Sequence, residues 1–524
     1  MVERLVSPLL LLACCAPILA ADYQMRLRKE VEETPGRFRT VERKEAWKPG
    51  ETAVIVCDMW DLHHCKNAVI RATQMAPRIN TLLKAARERG SLIIHAPSSC
   101  MQFYQDHPAR KRAQSAPVAG NLPEGIDQWL NWIDEREENA GYPIDHSDGG
   151  EDDDPTEHAE WAEKLKEMGR NPRAPWTRQI GLLEIDGGRD AITDSGKENW
   201  NLLEQHGIRN IILLGVHTNM CVLGRPFGLR QLARNGKNVV LMRDLTDTMY
   251  NPAMPPMVTH FQGTDLIVKH VEKYVCPSVT SDQILGGVPH RFVADFRKHI
   301  VFLIGEREYE TEKTLPRFVS EFLLPEFRTT MIFADSEGAN RNTFQGIEVV
   351  RDADLLFVSV RRRALPEADL GLIREHVKAG KPVIGIRTAS HAFSLRGKPA
   401  PPGHAVWEEW DAEVIGGNYT GHHGNALLTS VQSTARGNRF LGSKTSGVQF
   451  QSSGSLYINS PLPLDKKVLL SGRVEGIDRA EPLAWTFERP DGGKTFYTSL
   501  GHKSDFKQKL FVEMLHRAIG WCFE

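Results

Sequence analysis

The chain has 524 residues, of which 41% are hydrophobic and 25% charged, and its formal net charge at pH 7 is −2. A chain of this length is expected to hold more than one domain, because a domain usually has roughly 100–200 residues. The composition is typical of a soluble globular protein, and the near-neutral charge excludes a general nucleic-acid binder, which needs a strongly basic surface.

Residues 1–21 are predicted to be a signal peptide, because a basic start at Arg4 precedes a short apolar core and an alanine-ended site. The apolar core is too short for a membrane span. We therefore expect an exported protein, periplasmic or secreted, without a membrane span. The run Leu11-Leu12-Ala13-Cys14 also resembles a bacterial lipobox, in which Cys14 would become a lipid-modified N-terminus. Plain secretion is favoured because the apolar core before Cys14 is short.

The next part of the chain alternates strand-like and helix-like segments. Strands are predicted at 53–57, 91–95, 210–214 and 238–242, and helices at 76–89, 200–206 and 223–235. This alternation predicts a parallel sheet with helices on both faces. In such sheets ligands bind outside the carboxyl ends of the strands, where Asp58 directly follows the apolar run Ala53-Val54-Ile55-Val56-Cys57.

A long segment of low regularity lies between His95 and Trp176. It carries Trp129, Trp132 and Tyr142 among acidic residues and prolines. Long irregular insertions near strand ends are usually lids, binding loops or disordered segments, and the aromatic residues favour an ordered one. We predict that this segment covers the pocket at the strand ends and sets its specificity.

The strand at 210–214 leads into Gly215-Val216-His217-Thr218-Asn219-Met220-Cys221-Val222. A cysteine at the start of a helix is expected to lose its proton more easily, and a thiolate is a nucleophile. Asp58 at the other strand end could take the thiol proton. The alternatives are a buried cysteine that fills a core gap and an aspartate that caps a turn.

These two runs together resemble the isochorismatase-like cysteine hydrolases, which include nicotinamidases and N-carbamoylsarcosine amidases. The resemblance covers residues 49–285, which would follow an N-terminal leader segment at 22–48. It implies Cys221 as the nucleophile, Asp58 as the base and a lysine that assists. It also implies a cis peptide bond between Val216 and His217, which turns backbone N–H groups toward an oxyanion.

The family lysine has no clear match in this sequence. Arg178 is predicted to stand in its place, and Arg189 and Lys197 are the alternatives. An arginine stabilises a thiolate or an oxyanion but does not transfer a proton. A catalytically degenerate protein that binds small molecules or sugars is therefore the second hypothesis.

Four further residues near the strand ends are predicted to contact the substrate: Trp60, His95, Asn219 and Arg225. Arg225 would bind an anionic group, although a surface or interface role fits it equally well. No cofactor or metal is predicted, because the Asp-x-His metal pair of nicotinamidases is missing from the stretch at 94–100. His63, His64, Cys65 and His95 form an alternative zinc-type set, but ordinary pocket histidines are favoured.

A linker marked by Gly286-Gly287 and Pro289 precedes a second predicted domain at 298–524. Its strands are predicted at 299–305, 354–360 and 381–386, and a helix at 369–378. The last of these strands runs into a sharp turn that ends at His391. A strand–turn–helix corner of this kind is where a nucleophile elbow is placed.

This corner, together with Ala484-Trp485-Thr486 and Leu500-Gly501-His502, resembles the trehalose-utilisation (ThuA-like) family, whose fold is flavodoxin-type and glutamine-amidotransferase-like. Amidotransferases have a cysteine at the elbow, where Arg387 stands here, so their chemistry is not implied. The resemblance implies a carbohydrate-related role. Arg387, His391, His422 and His502 are predicted to form a pocket, with structural histidines as the alternative.

The sequence thus predicts two three-layer α/β/α domains, each with a mostly parallel sheet. The predicted function is an exported cysteine-dependent hydrolase that cleaves the C–N bond of a small molecule. The sequence leaves the oligomeric state open: a homo-oligomer is compatible with the resemblance, because isochorismatase-like folds commonly associate.

Overall fold

The computed structural model describes residues 21–324, 326–334, 341–442 and 449–524. These residues form two α/β units, each built on one large sheet, which confirms the predicted fold class. The predicted signal peptide lies, except for its last residue, outside the described residues. No helix within the described ranges combines the length and the apolar character needed to cross a bilayer.

The first unit is a sheet surrounded by helices. Its strands are β1 (Tyr23–Thr34), β2 (Arg37–Trp47), β3 (Thr52–Cys57), β4 (Leu92–Ala96), β5 (Ala191–Ile192), β6 (Asn210–Val216), β7 (Asn238–Asp247) and β8 (Ser278–Val279). Its helices are α1 (Lys66–Glu88), α2 (Pro108–Gln114), α3 (Glu135–Ala140), α4 (Pro155–Glu167), α5 (Gly196–Gln205), α6 (Leu229–Arg234), α7 (His260–Tyr274) and α8 (Asp282–Leu285).

The strand order of the first sheet is β2-β1-β8-β7-β6-β3-β4-β5. The strands from β8 to β5 are parallel, whereas β1 and β2 form an antiparallel hairpin at one edge. Residues 22–48, expected as a leader segment, therefore contribute two strands to this sheet. β3 lies between β6 and β4, so the chain segments that follow β3 and β6 are neighbours.

The side chains of β3 explain why this strand lies in the middle. Ala53, Ile55 and Cys57 pack into one hydrophobic core, and Val54 and Val56 pack into the core on the opposite face. A strand buried on both faces needs an unbroken apolar run, as in parallel sheets covered by helices. Cys57 is in register with Gly215 of β6, which sets Asp58 beside the turn that carries Cys221.

Two of the predicted helices differ most from the structure in their limits. α1 begins at Lys66 rather than at Ala76, because Ala68 and Ala72 already pack into the core and Pro77 is accommodated inside the helix. The helix expected at 223–235 is reduced to α6, because Gly224, Pro226 and Gly228 interrupt its first half.

The second unit has a longer sheet. Its strands are β9 (His299–Gly305), β10 (Arg328–Phe333), β11 (Leu355–Val360), β12 (Leu365–Pro366), β13 (Val383–Ile386), β14 (His404–Ala405), β15 (Gly421–His422), β16 (Thr429–Ser433), β17 (Gln449–Ser452), β18 (Tyr457–Ile458), β19 (Lys467–Arg473), β20 (Glu481–Glu488) and β21 (Lys494–Thr498). Its helices are α9 (Thr311–Phe318), α10 (Glu367–Lys378), α11 (Ala435–Phe440) and α12 (Lys509–Phe523).

The strand order of the second sheet is β10-β9-β11-β13-β21-β20-β19-β16-β17. The strands from β10 to β21 are parallel, and those beyond β21 are antiparallel. Ile300 and Phe302 of β9 pack into one core, and Val301 and Leu303 pack into the core on the other face. Because β11 and β13 are parallel neighbours, the residues that follow them meet at one edge of the sheet.

Candidate functional site

Asp58 stands directly after β3 with φ 46°, in the left-handed region of backbone space that favours glycine. Its side chain is fully buried. The backbone N–H of Ser98 donates to Oδ1 at 2.7 Å, and Nε of Arg225 donates to Oδ2 at 3.3 Å. Strained backbone at a residue other than glycine is concentrated at functional sites, and here it carries a buried, hydrogen-bonded carboxyl group.

Cys221 lies in a π-helical turn at Thr218–Val222, directly beyond β6. Its thiol interacts with the carboxylate of Asp58 and with the guanidinium of Arg225. The peptide bond between Val216 and His217 is cis. Gly215 has φ 106°, and a Cβ at this position would collide with the backbone of Cys57, so only glycine lets β6 approach β3 this closely.

The thiol of Cys221 is not acidified as the sequence pattern predicts. Burial and then the negative charge of Asp58 raise its pKa far above the usual value, and Arg225 only partly offsets them. Burial also raises the pKa of Asp58, which Arg225 and then the thiol of Cys221 lower. Only 9% of Cys221 is exposed, so desolvation outweighs the dipole of a short turn. The proton therefore resides on sulfur, with Asp58 as its adjacent acceptor.

The cation that contacts this pair is Arg225 rather than Arg178. The side chain of Arg178 is 52% exposed, and its Nε lies 3.7 Å from Asp61. Its guanidinium lies over the ring of Phe103. Arg178 follows no strand that neighbours β3 or β6, whereas Arg225 comes one helical turn after Cys221. The other two candidates also have partners at the surface, because Arg189 pairs with Asp186 and Lys197 with Asp127.

Two of the predicted substrate-binding residues are used inside the protein. Both ring nitrogens of His95 have partners, Gln179 at 3.0 Å and Asp190 at 3.1 Å, and the histidine is fully buried. The amide of Asn219 bonds to both backbone groups of Met249, with distances of 2.9 Å. These side chains position the strand end and the turn, and neither presents a free polar group at the Cys221 sulfur.

Trp60 and the histidines near it form an aromatic wall. Trp60 stacks on Trp176 with ring centroids 4.5 Å apart, and His63 stacks beside both. His64 pairs with Glu151 at 3.0 Å. His217 is buried, neither of its ring nitrogens has a hydrogen-bond partner within the described part of the chain, and burial lowers its pKa to about 4. Among the described residues, no group of three or more His, Cys, Asp or Glu side chains is arranged to hold a metal ion.

The irregular segment between β4 and Trp176 packs on the turn that carries Cys221. The N–H of Leu130 donates to the carbonyl of Gly224 at 2.9 Å, and the ring of Trp129 lies against the same glycine. The guanidinium of Arg225 lies 5.5 Å from the centroid of that ring. The segment is thus ordered beside the candidate site, and it reaches the cation that contacts Asp58.

A buried ion pair anchors this segment. Glu137 of α3 accepts hydrogen bonds from Nε and Nη2 of Arg230, the shortest at 2.6 Å, and both side chains are almost fully buried. His270 of α7 lies 2.9 Å from the same carboxylate. Burial alone would raise the pKa of Glu137, but the hydrogen bonds from His270 and Arg230 hold it below its usual value.

The structure brings the four predicted pocket residues of the second unit together. Arg387, His391, His422 and His502 all line one cavity of about 470 Å³. Arg387 follows β13 with φ 45° and is 2% exposed. Its guanidinium donates to the carbonyl of Ser499 at 2.7 Å and to the side chain of Ser455 at 3.1 Å.

Several residues of this cavity were missed by sequence reasoning. They are three further arginines and three tyrosines: Arg361, Arg362, Arg396, Tyr309, Tyr419 and Tyr457. One sequence pattern could have indicated these arginines: the run Arg361-Arg362-Arg363, which directly follows the predicted strand at 354–360. The tyrosines come from separate loops, and no local pattern links them.

The ThuA family, described as trehalose utilisation, matches residues 327–522. Those residues form a ThuA-like domain. No curated protein matches the chain. The ThuA-like domain is preceded by β9 of the same sheet, which lies outside the matched range.

Solved structures similar to this chain include members of both families named from the sequence motifs. A ThuA-like protein from Bacteroides uniformis is 14% identical, with a TM-score of 0.33, over 45% of this chain and 95% of its own. A cysteine hydrolase from Pseudomonas syringae pv. phaseolicola is 16% identical, with a TM-score of 0.27, over 45% and 92%. An isochorismatase from Pseudomonas putida is 12% identical, with a TM-score of 0.25, over 44% and 89%.

Proposed function

We propose that the first unit is a cysteine hydrolase that cleaves the C–N bond of a small amide-type molecule. The observation that carries this proposal is that β3 and β6 are neighbours in register and bring the carboxylate of Asp58 and the thiol of Cys221 together at adjacent strand ends, where the two groups interact. A nucleophile within hydrogen-bond reach of a base is the arrangement that acyl transfer requires. Export of the protein, which only the N-terminal sequence favours, is part of the same proposal.

Because burial raises the pKa of the Cys221 thiol, the thiol keeps its proton until it attacks the substrate. Cys221 Sγ attacks the carbonyl carbon while its proton passes to Asp58, and backbone N–H groups of the 216–221 segment stabilise the oxyanion. Asp58 then protonates the nitrogen, the C–N bond breaks, and a thioester and an amine remain. Water attacks the thioester and gives its proton to Asp58. The carboxylic acid leaves, and the proton returns to sulfur.

Arg225 acts on this cycle through its charge. Its Nε lies 3.3 Å from Asp58 Oδ2, and it contacts the thiol, so it stabilises both the carboxylate and a developing thiolate. An arginine keeps its proton throughout, so Asp58 is the group that carries every proton transfer.

The experiment is an ammonia-release assay on a panel of small primary amides, combined with intact-mass analysis of the quenched protein. We expect turnover by the wild type and a mass increase from the acyl group. Cys221→Ala should lose both signals, whereas Cys276→Ala, which removes another buried thiol of the same unit, should keep both. Retention of activity by Cys221→Ala would overturn the proposal.

A second candidate function is binding of a small molecule without turnover. The observation that favours it is that the cation in contact with Asp58 is Arg225, which does not transfer a proton, whereas the resemblance implies an assisting lysine. Under this alternative, an amide that binds to the wild type would bind equally well to Cys221→Ala, and no acyl adduct would form on either protein. The same intact-mass measurement therefore separates the two functions.

The description of its family as trehalose utilisation supports a carbohydrate-related ligand for the ThuA-like domain. The three tyrosines around its cavity also fit such a ligand, because aromatic rings pack on the apolar faces of sugars. Saturable binding of a neutral sugar to this domain would support this part of the proposal.

A further inference from the structure

We propose that the cavity of the ThuA-like domain binds a small molecule through a carboxylate or phosphate oxyanion, with its arginines as the anion-binding groups. This inference depends neither on the hydrolase activity of Cys221 nor on a carbohydrate ligand. It follows from the charges, the burial and the hydrogen bonds of the cavity wall.

The wall of the cavity is rich in cations. Arg361, Arg362, Arg387 and Arg396 line it, and Glu308 is the acidic residue among its described lining. Glu308 is already paired, at 2.8 Å, with Arg361. The other three arginines have no carboxylate partner among the described residues. The cavity therefore has a surplus of positive charge that its own side chains do not neutralise.

Two of these arginines keep buried N–H groups without partners. Nη1 of Arg362 and Nε of Arg387 are both buried, and neither meets a hydrogen-bond acceptor in the described part of the chain. An unpaired buried cation is strongly unfavourable, and a planar guanidinium matches a carboxylate or phosphate with two parallel hydrogen bonds. A bound oxyanion would supply the missing charge and acceptors together.

Aromatic side chains of the remaining wall hold Arg387 in place. The guanidinium of Arg387 lies 4.2 Å from the ring centroid of Tyr309 and 4.7 Å from that of Tyr457. His391 stacks on Tyr419. Burial and then Arg362, Arg361, Arg396 and Arg387 lower the pKa of His391 to about 2, so its imidazole is neutral and adds no charge of its own.

The backbone supports the same assignment. Arg362, Arg387 and Arg396 have φ of 47°, 45° and 56°, in the region where side chains are strained. Other residues besides glycine also have positive φ in the described ranges, but these three arginines line the same cavity. Strain of this kind persists where it positions functional groups, and here every strained group is an arginine.

The test is thermal unfolding and titration calorimetry of the full chain with three probes at constant ionic strength: inorganic phosphate, glucuronate and glucose. We use Cys221→Ala as the background, so that turnover in the first unit cannot contribute. Saturable stabilisation by phosphate or glucuronate is expected, and the one that binds identifies phosphate or carboxylate as the recognised group. Binding of glucose alone would support a sugar site and overturn the oxyanion proposal.

Arg362→Gln tests the assignment of the site. We expect it to weaken the binding of the active probe by at least about tenfold. Without ligand it should melt no lower than the parent protein, because it removes an unpaired cation. Arg436→Gln on α11, an exposed arginine outside the cavity, is the matched control and should bind normally. If Arg362→Gln does not fold, Arg396→Gln at the exposed rim replaces it. Equal affinity in variant and parent would overturn the proposal.

Discussion

The two candidate sites use the same backbone geometry for different chemistry. In each unit a buried parallel strand ends at a residue with left-handed backbone, Asp58 after β3 with φ 46° and Arg387 after β13 with φ 45°. In each, the neighbouring parallel strand brings a second functional segment to the same edge. The fold therefore determines where a site forms, and the residue at the strained position determines whether it is suited to proton transfer or to anion binding.

The two candidate sites and their surroundings differ in whether a buried charge has an opposite charge beside it. In the first, Asp58 faces Arg225, and Glu137 faces Arg230 and His270. In the second, Arg362 and Arg387 keep buried nitrogen atoms without partners. Removing one of these charges should therefore be harmful at the paired residues of the first unit and neutral or favourable at Arg362 in the second. The following predictions test that difference.

The largest expected effect concerns the base of the first site. Asp58→Asn keeps the shape of the side chain but cannot accept the thiol proton, so turnover should fall by about 10²–10⁴-fold, as for other general bases. The measurement is the initial rate of ammonia release at saturating amide. Asp127→Asn, an exposed aspartate paired with Lys197, should retain the wild-type rate. Normal turnover by Asp58→Asn would assign the proton transfer to another group.

The second prediction concerns the buried ion pair that anchors the segment over Cys221. Glu137→Gln leaves Arg230 buried without a counter-charge, so the free energy of unfolding should fall by about 3 kcal/mol. Urea unfolding at pH 7 measures the loss, and Glu138→Gln, an exposed neighbour on α3, should change it little. Because the folded-state pKa of Glu137 is lowered, the stabilisation is present above its unfolded pKa and disappears as the pH falls through the folded value. Equal stability of both variants would mean that the pair does not anchor the segment.

A smaller effect is expected for Arg225. Its charge lowers the pKa of both Asp58 and Cys221, so Arg225→Gln should let the thiol pKa rise further. Alkylation of Cys221 by iodoacetamide at pH 8 should then be about tenfold slower, because less thiolate is present. Arg225→Lys retains the charge and should restore most of the rate. Faster alkylation in Arg225→Gln would show that access, rather than charge, limits the reaction.

The sequence predicts central parallel strands of both sheets, β3, β4, β6 and β7 in the first and β9, β11 and β13 in the second, because their apolar runs are continuous. The run at Ala53–Cys57 needs helices on both faces, and a parallel sheet then sets the residue after it at the ligand-binding edge. Asp58 and Cys221 could be selected in this way, from two local runs and the neighbourhood of two strands. Arg387 and His391 could be selected from the corner that follows β13.

The remaining site residues depend on contacts that no local pattern contains. His95 precedes a strand end, as a ligand-binding residue would, but Gln179 and Asp190 from distant segments use both of its nitrogens. Arg178 was chosen by its position between two motifs, whereas the cation near the thiol is Arg225, which the π-helical turn after β6 brings back to Asp58. The pKa of Cys221 is raised by burial, which the sequence near the cysteine does not reveal.

The smallest predicted effect is a pH-dependent one beside the arginine cavity. Asp411 supports Tyr419, whose N–H donates to Oδ2 at 2.7 Å, while Oδ1 is buried without a partner among the described residues. Burial raises the pKa of Asp411 to about 7, opposed by the Tyr419 hydrogen bond. At a pH between the unfolded pKa of Asp411 and about 7, the folded protein keeps the carboxyl proton and the unfolded protein has lost it. The stability that Asp411 contributes is therefore lost as the pH rises from its unfolded pKa to about 7.

Asp411→Asn removes this titration and should therefore be more stable than the wild type at pH 8, by about 1 kcal/mol, and nearly equal to it at pH 4. Thermal unfolding at both pH values measures the difference, and Glu413→Gln in the same turn serves as the control. The sign is opposite to that expected for Glu137→Gln, because Asp411 lacks the cation that Glu137 has. If Asp411→Asn were instead less stable than the wild type at pH 8, ionised Asp411 would have a stabilising partner. The contrast in buried charge between the two sites would then not extend to this residue.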